Sequence, residues 1–421
     1  MRTKSKLFGI IVFMAMIGLL FAACDNGSST HTHSFGSWTQ QTPATCTAAE
    51  VQKRVCSSCG EIQTQSIGNP AGHTFVYWVC NACDKVDGSE FGEALDSIFN
   101  IQRALTDPTA VEPIMLAVKL DLGNMQAASL WGQLLTEVGS VGKEVILDLS
   151  ECTMSGTPED GTAFDPNASS ATTGKGFIIG IVLPSTAKST RDRTQSTVAF
   201  NGFTKLKFFS GANLQTIGKY AFYGLTSLDM TALPAKVTVI SDYAFYGCTN
   251  LALTSLPGGV KTISNAAFMN CSSKLALTSL PPALETIGAS AFATCHGLTI
   301  DSITLAGEAR SIGYQAFYNC IGITSISLDV YDLQAVFYSC NKLEKVDISE
   351  NIKEIGNETF RYCTILAEVI CRAEAPPSLG TDVFSGDSAA LKIYVPADSV
   401  DTYKAAANWS SHAAKISAIT P

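Results

Sequence analysis

Residues 251–271 read LALTSLPGGVKTISNAAFMNC. Leu251, Leu253 and Leu256 alternate with smaller residues and run into Pro257; a second apolar pair follows at Val260 and Ile263, then Ala267-Phe268, with Cys271 three places after the ring. Alternation predicts a half-buried strand, and a proline at its end stops the strand and turns the chain. Pro234, Pro257 and Pro281 are the strand-ending prolines of three successive units. The ring recurs at Phe200, Phe222, Phe245, Phe268, Phe292, Phe317, Phe337, Phe360 and Phe384, at intervals of 22, 23, 23, 24, 25, 20, 23 and 24 residues. A fixed period of this length marks a solenoid. Each unit is one coil too small to bury its own apolar face, and stacking on its neighbours completes the core.

The expected fold is a repeat protein of α/β type, mainly β, with a parallel sheet. With strands about 4.8 Å apart, about ten coils give a sheet roughly 45 Å long. Val145 to Leu149 reads as the first strand, and Thr162-Ala163-Phe164 as one further copy of the ring motif. An insertion rich in Asn, Ser, Thr and Gly, Asp165 to Gly176, separates it from Phe200. The rings are expected inside each coil, stacked on their counterparts. The repeats span residues 145–395.

Solenoid ends expose an apolar cross-section and need caps. Residues 89–144 lack the Phe period and read as the N-terminal cap. A helix over Glu90 to Leu105 is closed by Asp107-Pro108, and a second helical stretch surrounds Leu130, Leu134 and Leu135. Residues 396–421 read as the C-terminal cap. Leu391 to Pro396 is a last strand, and Ser399 to Trp409 a helix whose Tyr403 and Trp409 are available to cover the open end.

The two ends of the 421-residue chain differ in kind. Arg2, Lys4 and Lys6 precede an apolar stretch from Leu7 to Leu20, then Phe21-Ala22-Ala23-Cys24, which reads as a secretory signal peptide over residues 1–23. Small residues before the cysteine resemble a bacterial lipoprotein signal. That resemblance implies cleavage before Cys24 and lipid on its thiol, with residues 24–30 as a polar tether. Membrane attachment is then through the lipid anchor alone. Without the leader, 25 basic residues face 37 acidic ones, a net charge of −12, which argues against a nucleic-acid partner.

Residues 31–88 form a separate Cys/His module with His31, His33, Cys46, Cys56, Cys59, His73, Cys80 and Cys83. Cys56-Ser-Ser-Cys59 and Cys80-Asn-Ala-Cys83 have the spacing of a four-thiolate zinc-ribbon-like site, in which two tight turns complete a tetrahedron. His33 to Trp38 resembles His73 to Trp78, as in the small tandem His/Cys modules of bacterial surface proteins. A second ligand set, His33, Cys46, Cys56 and Cys59, is therefore open, with His73 the counterpart of His33. Disulfides are the competing staple in an exported chain. In either case the role is structural, with zinc the expected cofactor.

Two units carry a more specific pattern: Thr286-Ile287-Gly288-Ala-Ser-Ala291-Phe292-Ala-Thr-Cys295 and Ser311-Ile312-Gly313-Tyr-Gln-Ala316-Phe317-Tyr-Asn-Cys320. This resembles the leucine-rich repeats of the BspA-like and treponemal surface protein families, over about residues 145–421. The resemblance implies a secreted or surface-attached protein, in some members an adhesin for host or bacterial partners.

Cys248, Cys271, Cys295, Cys320, Cys340 and Cys363 recur three places after a ring. Parallel side chains on adjacent coils keep their Cβ atoms too far apart for a relaxed disulfide, so buried unreactive thiols are expected. Two faces are open to partners. Outward strand positions are mostly small and polar (Thr254, Ser255, Thr278, Ser279, Asp301, Ser302, Thr304, Ser325) and become charged at Lys342, Glu344, Lys345 and Asp347. Beside the rings lie Tyr223, Tyr246, Tyr318 and Tyr338, with Arg361 in register; tyrosine suits recognition and coil-edge packing alike. No nucleophile–base or metal-protease motif is present. Thr173-Gly174-Lys175-Gly176 lacks the first glycine and the final Ser/Thr of a phosphate loop.

The expected function is a non-enzymatic, monomeric cell-surface lipoprotein that binds a protein or glycan through its solenoid. It is expected in the cell envelope, on the outer membrane and facing outward. The alternative is a periplasm-facing metal-binding or structural envelope lipoprotein, for which Asp25 speaks, since in enteric bacteria that residue after the lipid cysteine signals inner-membrane retention.

Overall fold

A computed structural model describes residues 94–419, except 108–109, 111, 158–160, 169–172 and 307–310, and the backbone of short strands between 39 and 80. Among the latter, Thr39–Thr42, Glu50–Val55 and Ile62–Ile67 form an antiparallel three-stranded sheet, and Phe75–Val76 pairs with Val79–Cys80. Cys80 thus lies on a strand. Cys24, His33, Cys46, Cys56, Cys59, His73 and Cys83 lie outside the described residues.

From residue 94 onward the chain is a stack of coils joined by parallel ladders. One ladder is built from two-residue pairs: Ala163–Phe164, Ser189–Thr190, Thr216–Ile217, Val239–Ile240, Thr262–Ile263 and Thr286–Ile287. Single bridges at Ile312 and Ser311 carry it on to Asp332–Leu333, Glu354–Ile355 and Ser378–Leu379. The Ile-Gly of the repeat belongs here. A Cβ on Gly313 would lie 2.3 Å from the Ala289 backbone nitrogen, so the coils stack this closely only without a side chain at that place.

Ala163–Phe164 corrects the sequence expectation. It pairs in register with Ser189–Thr190, and through it with Thr216–Ile217, so it occupies the Thr-Ile column and not the Ala-Phe column. The true ring column starts at Phe200 and runs to Phe384, every ring buried. From Phe200 on, successive centroids are 4.4, 5.3, 5.3, 5.4, 5.3, 5.6, 5.9 and 5.9 Å apart and nearly parallel. Each ring's N–H donates to the carbonyl just before the next ring, as from Phe268 to Ala291 at 2.8 Å, so backbone and side chain share one register.

The second ladder is divided. Ile114–Ala117, Val145–Asp148, Ile178–Val182 and Phe208–Ser210 form a parallel sheet, so the sheet begins inside the segment read as cap. Ser302–Thr304, Ser325–Asp329, Lys345–Ile348, Glu368–Cys371, Lys392–Val395 and Ile416–Ala418 form a second parallel sheet. Between them, the runs ending at Pro234, Pro257 and Pro281 are not strands, contrary to the expectation from their alternation. One cross-coil bond survives per coil, such as Ala252 N–H to Met230 O at 3.1 Å and Ala276 N–H to Leu253 O at 3.0 Å. Proline donates no hydrogen bond, and three stacked prolines remove the donors of one whole row.

Both ends are capped. Helix α1 (Ile98–Thr106) is N-capped by Ser97, and α2 (Leu130–Val141) by Ser129, with Gly142 in the left-handed conformation at its C-terminus. Helix α2 buries Trp131, Leu134, Leu135 and Val138, and Trp131 meets Phe164 edge-on at 5.9 Å. At the other end, α3 (Val400–Ala405) and the turn Trp409–Lys415 cover the last coil. Tyr403 and Trp409 are fully buried and donate to Ala373 O and Pro377 O, both at 2.8 Å. No helix among the described residues is long and apolar enough to cross a membrane.

Candidate functional site

From Phe222 on, the ring of each coil lies in a tight turn with two left-handed residues, and Phe200 has one, Gly202, after it. Two places before the ring, Tyr220, Tyr243, Ala266, Ser290, Gln315, Ala335, Glu358 and Asp382 have φ between 51° and 57°. Two places after it, Gly202, Gly224, Gly247, Asn270, Thr294, Asn319, Ser339, Tyr362 and Gly386 are also left-handed. Gly and Asn suit this conformation; a β-branched residue such as Thr294 does not. Because these turns repeat in register, the side chains two before and one after each ring form two parallel columns on the outer edge.

Those columns gather tyrosines. Tyr223 stacks on Tyr246 at 4.7 Å, and Tyr220 on Tyr243 at 4.7 Å, with Tyr220–Tyr223 at 5.5 Å and Tyr243–Tyr246 at 6.0 Å. Tyr223 and Tyr246 were expected here; Tyr220 and Tyr243 complete a quartet. Gln195 donates to the Tyr223 hydroxyl at 2.8 Å, and Asn270 to that of Tyr246 at 3.0 Å. Burial and then the neighbouring Tyr243 raise the Tyr220 pKa, so its hydroxyl stays protonated and able to donate. With faces stacked on one another, the quartet offers ring edges and hydroxyls outward.

A second cluster lies at the C-terminal half. Tyr318 and Tyr338 are 5.6 Å apart, and Tyr362 meets Tyr338 edge-on at 5.5 Å. The Arg361 guanidinium lies 4.9 Å from the Tyr362 centroid and 6.0 Å from that of Tyr338. It also pairs with Glu358 and donates to the Tyr362 hydroxyl at 3.2 Å. Tyr362 and Tyr314 are among the most exposed large side chains, at 41% and 52%. Sequence reasoning missed Tyr220, Tyr243 and Tyr362 because only the left-handed turns bring them beside the expected row. Two coils with Ala266, Met269, Ser290 and Ala293 in these columns separate the clusters.

The six cysteines of the repeat are all buried. Each thiol donates to the carbonyl of the ring one coil earlier: Cys248 to Phe222 (3.0 Å), Cys271 to Phe245 (3.1 Å), Cys295 to Phe268 (2.9 Å), Cys320 to Phe292 (3.1 Å), Cys340 to Phe317 (3.1 Å) and Cys363 to Phe337 (3.3 Å). Burial pushes the thiols of Cys248 and Cys340 up to about 12, which disfavours the reactive thiolate. Lys175, from the glycine-containing segment, is buried and donates to Asn167 at 3.0 Å. It is a packing element of the inserted loop.

Thr254, Ser255, Thr278 and Ser279, in runs that are not strands, and Asp301, Ser302, Thr304 and Ser325 are exposed as expected. Lys345 pairs with Glu368 at 2.5 Å, and Arg372 makes a two-pronged contact with Asp347 at 2.7 and 2.6 Å. Binding of partners, rather than catalysis, is the usual work of such a solenoid.

The family model for the BspA type leucine rich repeat region matches residues 193–324 and 296–412, together just over half of the chain. Among solved structures, the chain is similar to a leucine rich repeat protein of T. pallidum, 28% identical, over 46% of this chain and 79% of that one, with a TM-score of 0.33. It is similar to a leucine-rich repeat protein from Bacteroides ovatus, 20% identical, over 62% and 88%, with a TM-score of 0.27. A leucine rich cell surface protein from Faecalibacterium prausnitzii is 20% identical over 52% and 78%, with a TM-score of 0.25. No curated protein matches. Ring column, Ile-Gly step, cysteine ladder and repeat model agree: the chain belongs to the BspA type leucine-rich repeat family.

Proposed function

We propose that this protein is a lipid-anchored cell-surface lipoprotein whose solenoid binds a protein or glycan partner, as an adhesin or interaction scaffold. The observation that carries the reading is the pair of tyrosine clusters held on one edge of a rigid coil stack. Tyrosine and arginine are the residues that most often dominate binding energy, and they lose little entropy on a scaffold this constrained. Two coils carrying Ala266, Met269, Ser290 and Ala293 separate the quartet from the Tyr338–Arg361–Tyr362 cluster, so a protein segment laid across the coils could reach both. The test is binding of the mature protein to immobilised extracellular-matrix and bacterial surface proteins by interferometry. Tyr220→Ala with Tyr243→Ala is expected to weaken the binding at least tenfold, about 1.4 kcal/mol, with unchanged thermal unfolding. Binding that ignores both clusters would refute this face as the site.

The lipid on Cys24 and the outward-facing location in the outer membrane belong to the same proposal, as does a structural zinc or disulfide staple in residues 31–88. Elemental analysis of the full-length reduced protein is expected to find one zinc per chain. Absence of metal, with Cys56–Cys59 and Cys80–Cys83 disulfides by mass spectrometry, would replace zinc by the covalent staple.

A further inference from the structure

We propose that the last ring turn, at the C-terminal end of the stack, is a docking site for a short backbone segment of a partner protein that carries a lysine or arginine. The proposal goes beyond the tyrosine face and uses other residues. In the seven coils from Phe222 to Phe360, three N–H groups of the ring turn cross to the next coil: the one two places before the ring, that of the ring itself, and the one two places after it. Glu358, Phe360 and Tyr362 donate in this way to Thr381 O, Val383 O and Ser385 O at 3.0, 3.1 and 2.9 Å. The corresponding donors of the last coil are the N–H groups of Asp382, Phe384 and Gly386. They have no acceptor among the described residues. Elsewhere the C-terminal cap takes up the bonds of the last coils. Tyr403, Trp409 and Asn408 donate to Ala373 O, Pro377 O and Leu379 O at 2.8, 2.8 and 2.6 Å, and Ile416–Ala418 pairs with Lys392–Val395. At the ring turn the cap instead sets the His412 ring edge-on to Phe384, with centroids 5.2 Å apart. A cavity of about 320 Å³ remains there, lined by Asp382, Phe384, Ser385, Asn408, Ser411 and His412, among others. Two of the three donors thus belong to lining residues, and Gly386, with the third, is exposed.

The donors define the occupant. Unpaired backbone N–H groups at an edge are a template for another chain. In each earlier coil the three reach three separate carbonyls, so they point along the stack and do not converge as a nest around one anion must. Alternate carbonyls of a peptide meet such a row; a phosphate does not. The segment has to follow the coil's own turn, in which the residue after the first acceptor is left-handed, so glycine or asparagine is expected there. A second copy of this chain is the poorer fit. At the first ring coil Asn167 Nδ2 already donates to Thr197 O and Val198 O, both at 3.0 Å, so the matching acceptor edge is covered. Asp382 sets the charge of the partner. It follows Glu358 in its column; Glu358 is paired with Arg361, whereas Asp382 is exposed at the cavity with no ion pair among the described residues. A basic side chain on the segment meets that carboxylate.

The experiment is a titration of the mature, nitrogen-15-labelled protein followed by amide NMR. The probe is the peptide acetyl-Lys-Gly-Ala-Gly-Lys-amide at up to about 5 mM, since so short a segment binds near the millimolar range. The comparisons are the same peptide with glutamate for lysine, and sodium phosphate. The amide resonances of Asp382, Phe384 and Gly386 are expected to move with the basic peptide and to stay in place with the other two. Asp382→Asn should weaken the response at least threefold, and Ser411→Trp, which fills the cavity from the cap, should abolish it. If Ser411→Trp alters thermal unfolding, Asp382→Lys takes its place and should transfer the response to the acidic peptide. No movement of these amides with the basic peptide would overturn the proposal. So would equal movement with phosphate or with the acidic peptide, or movement on dilution of the protein alone, which would mark a second copy as the occupant. Tyr220→Ala with Tyr243→Ala should leave the response unchanged, so failure here and failure of the tyrosine face are separate results.

Discussion

At the residue scale, the repeat is specified by small steric and hydrogen-bond demands. The cysteine after each ring is the clearest case. Each ring carbonyl from Phe245 to Phe337 accepts both its own coil's Cys N–H and the thiol of the next coil. A thiol fits because it is small, apolar and still a weak donor. Cys295→Ala is therefore expected to cost about 1–2 kcal/mol by denaturant unfolding, from lost packing and one lost donor. Rapid alkylation of all six thiols in the folded protein would contradict the ladder. Thr294 is the reverse case, a β-branched residue at φ 60°. Thr294→Asn, matching Asn270 and Asn319, is expected to raise stability by about 0.5–1 kcal/mol. Asp387 makes stability depend on pH. Its Oδ1 accepts the Cys363 N–H at 3.0 Å, while Oδ2 is buried without a partner among the described residues. Burial, opposed by that hydrogen bond and by Lys415, raises its pKa from 3.8 to about 8. The folded chain then keeps a proton that the unfolded chain releases. The associated stability is complete below about pH 4 and is lost as the pH rises towards 8. Asp387→Asn is expected to raise stability by about 1–3 kcal/mol at pH 7.5 and by much less at pH 4. Equal gains at both pH values would exclude this carboxyl as the cause.

At the scale of elements, the ring column was legible from the sequence because phenylalanine has no other role at a fixed period. The same holds for Tyr403 and Trp409, large aromatics placed just past the last repeat. Phe164 misled because Ala-Phe is a composition and not a register. The inserted loop lets the same dipeptide fall in the Thr-Ile ladder, where its ring still reaches Phe200 at 6.1 Å. Alternation before Pro234, Pro257 and Pro281 misled because inward leucines fix which side is buried and leave the hydrogen-bond row unspecified. The strands Ile114–Ala117 and Ile416–Ala418 were hidden by lying outside the period. Of the candidate site, Tyr223, Tyr246, Tyr318 and Tyr338 were visible one place after a ring. Their partners emerged only with the left-handed turns. The stacked column predicts a steep cost for one vacancy. Phe268→Ala is expected to lose about 3–5 kcal/mol. Because coils are coupled only to their neighbours, amide exchange should rise most in the coils holding Phe245 and Phe292. Uniform loss of protection along the stack would contradict that coupling.

At the scale of the whole molecule, both ends of the coil stack are closed by buried aromatics, and the edges carry the chemistry. A binding stack at the surface should present the same side chains to solvent in the cell as in isolation. Lys205, Lys261 and Lys345 are suitable reporters, with side-chain exposures of 49%, 58% and 49%. The most direct measurement is labelling of intact cells that produce the protein with a membrane-impermeant amine reagent, read by peptide mass spectrometry. Surface display predicts equal labelling of these lysines in intact and permeabilised cells. Labelling only after permeabilisation would contradict it and place the solenoid behind the membrane.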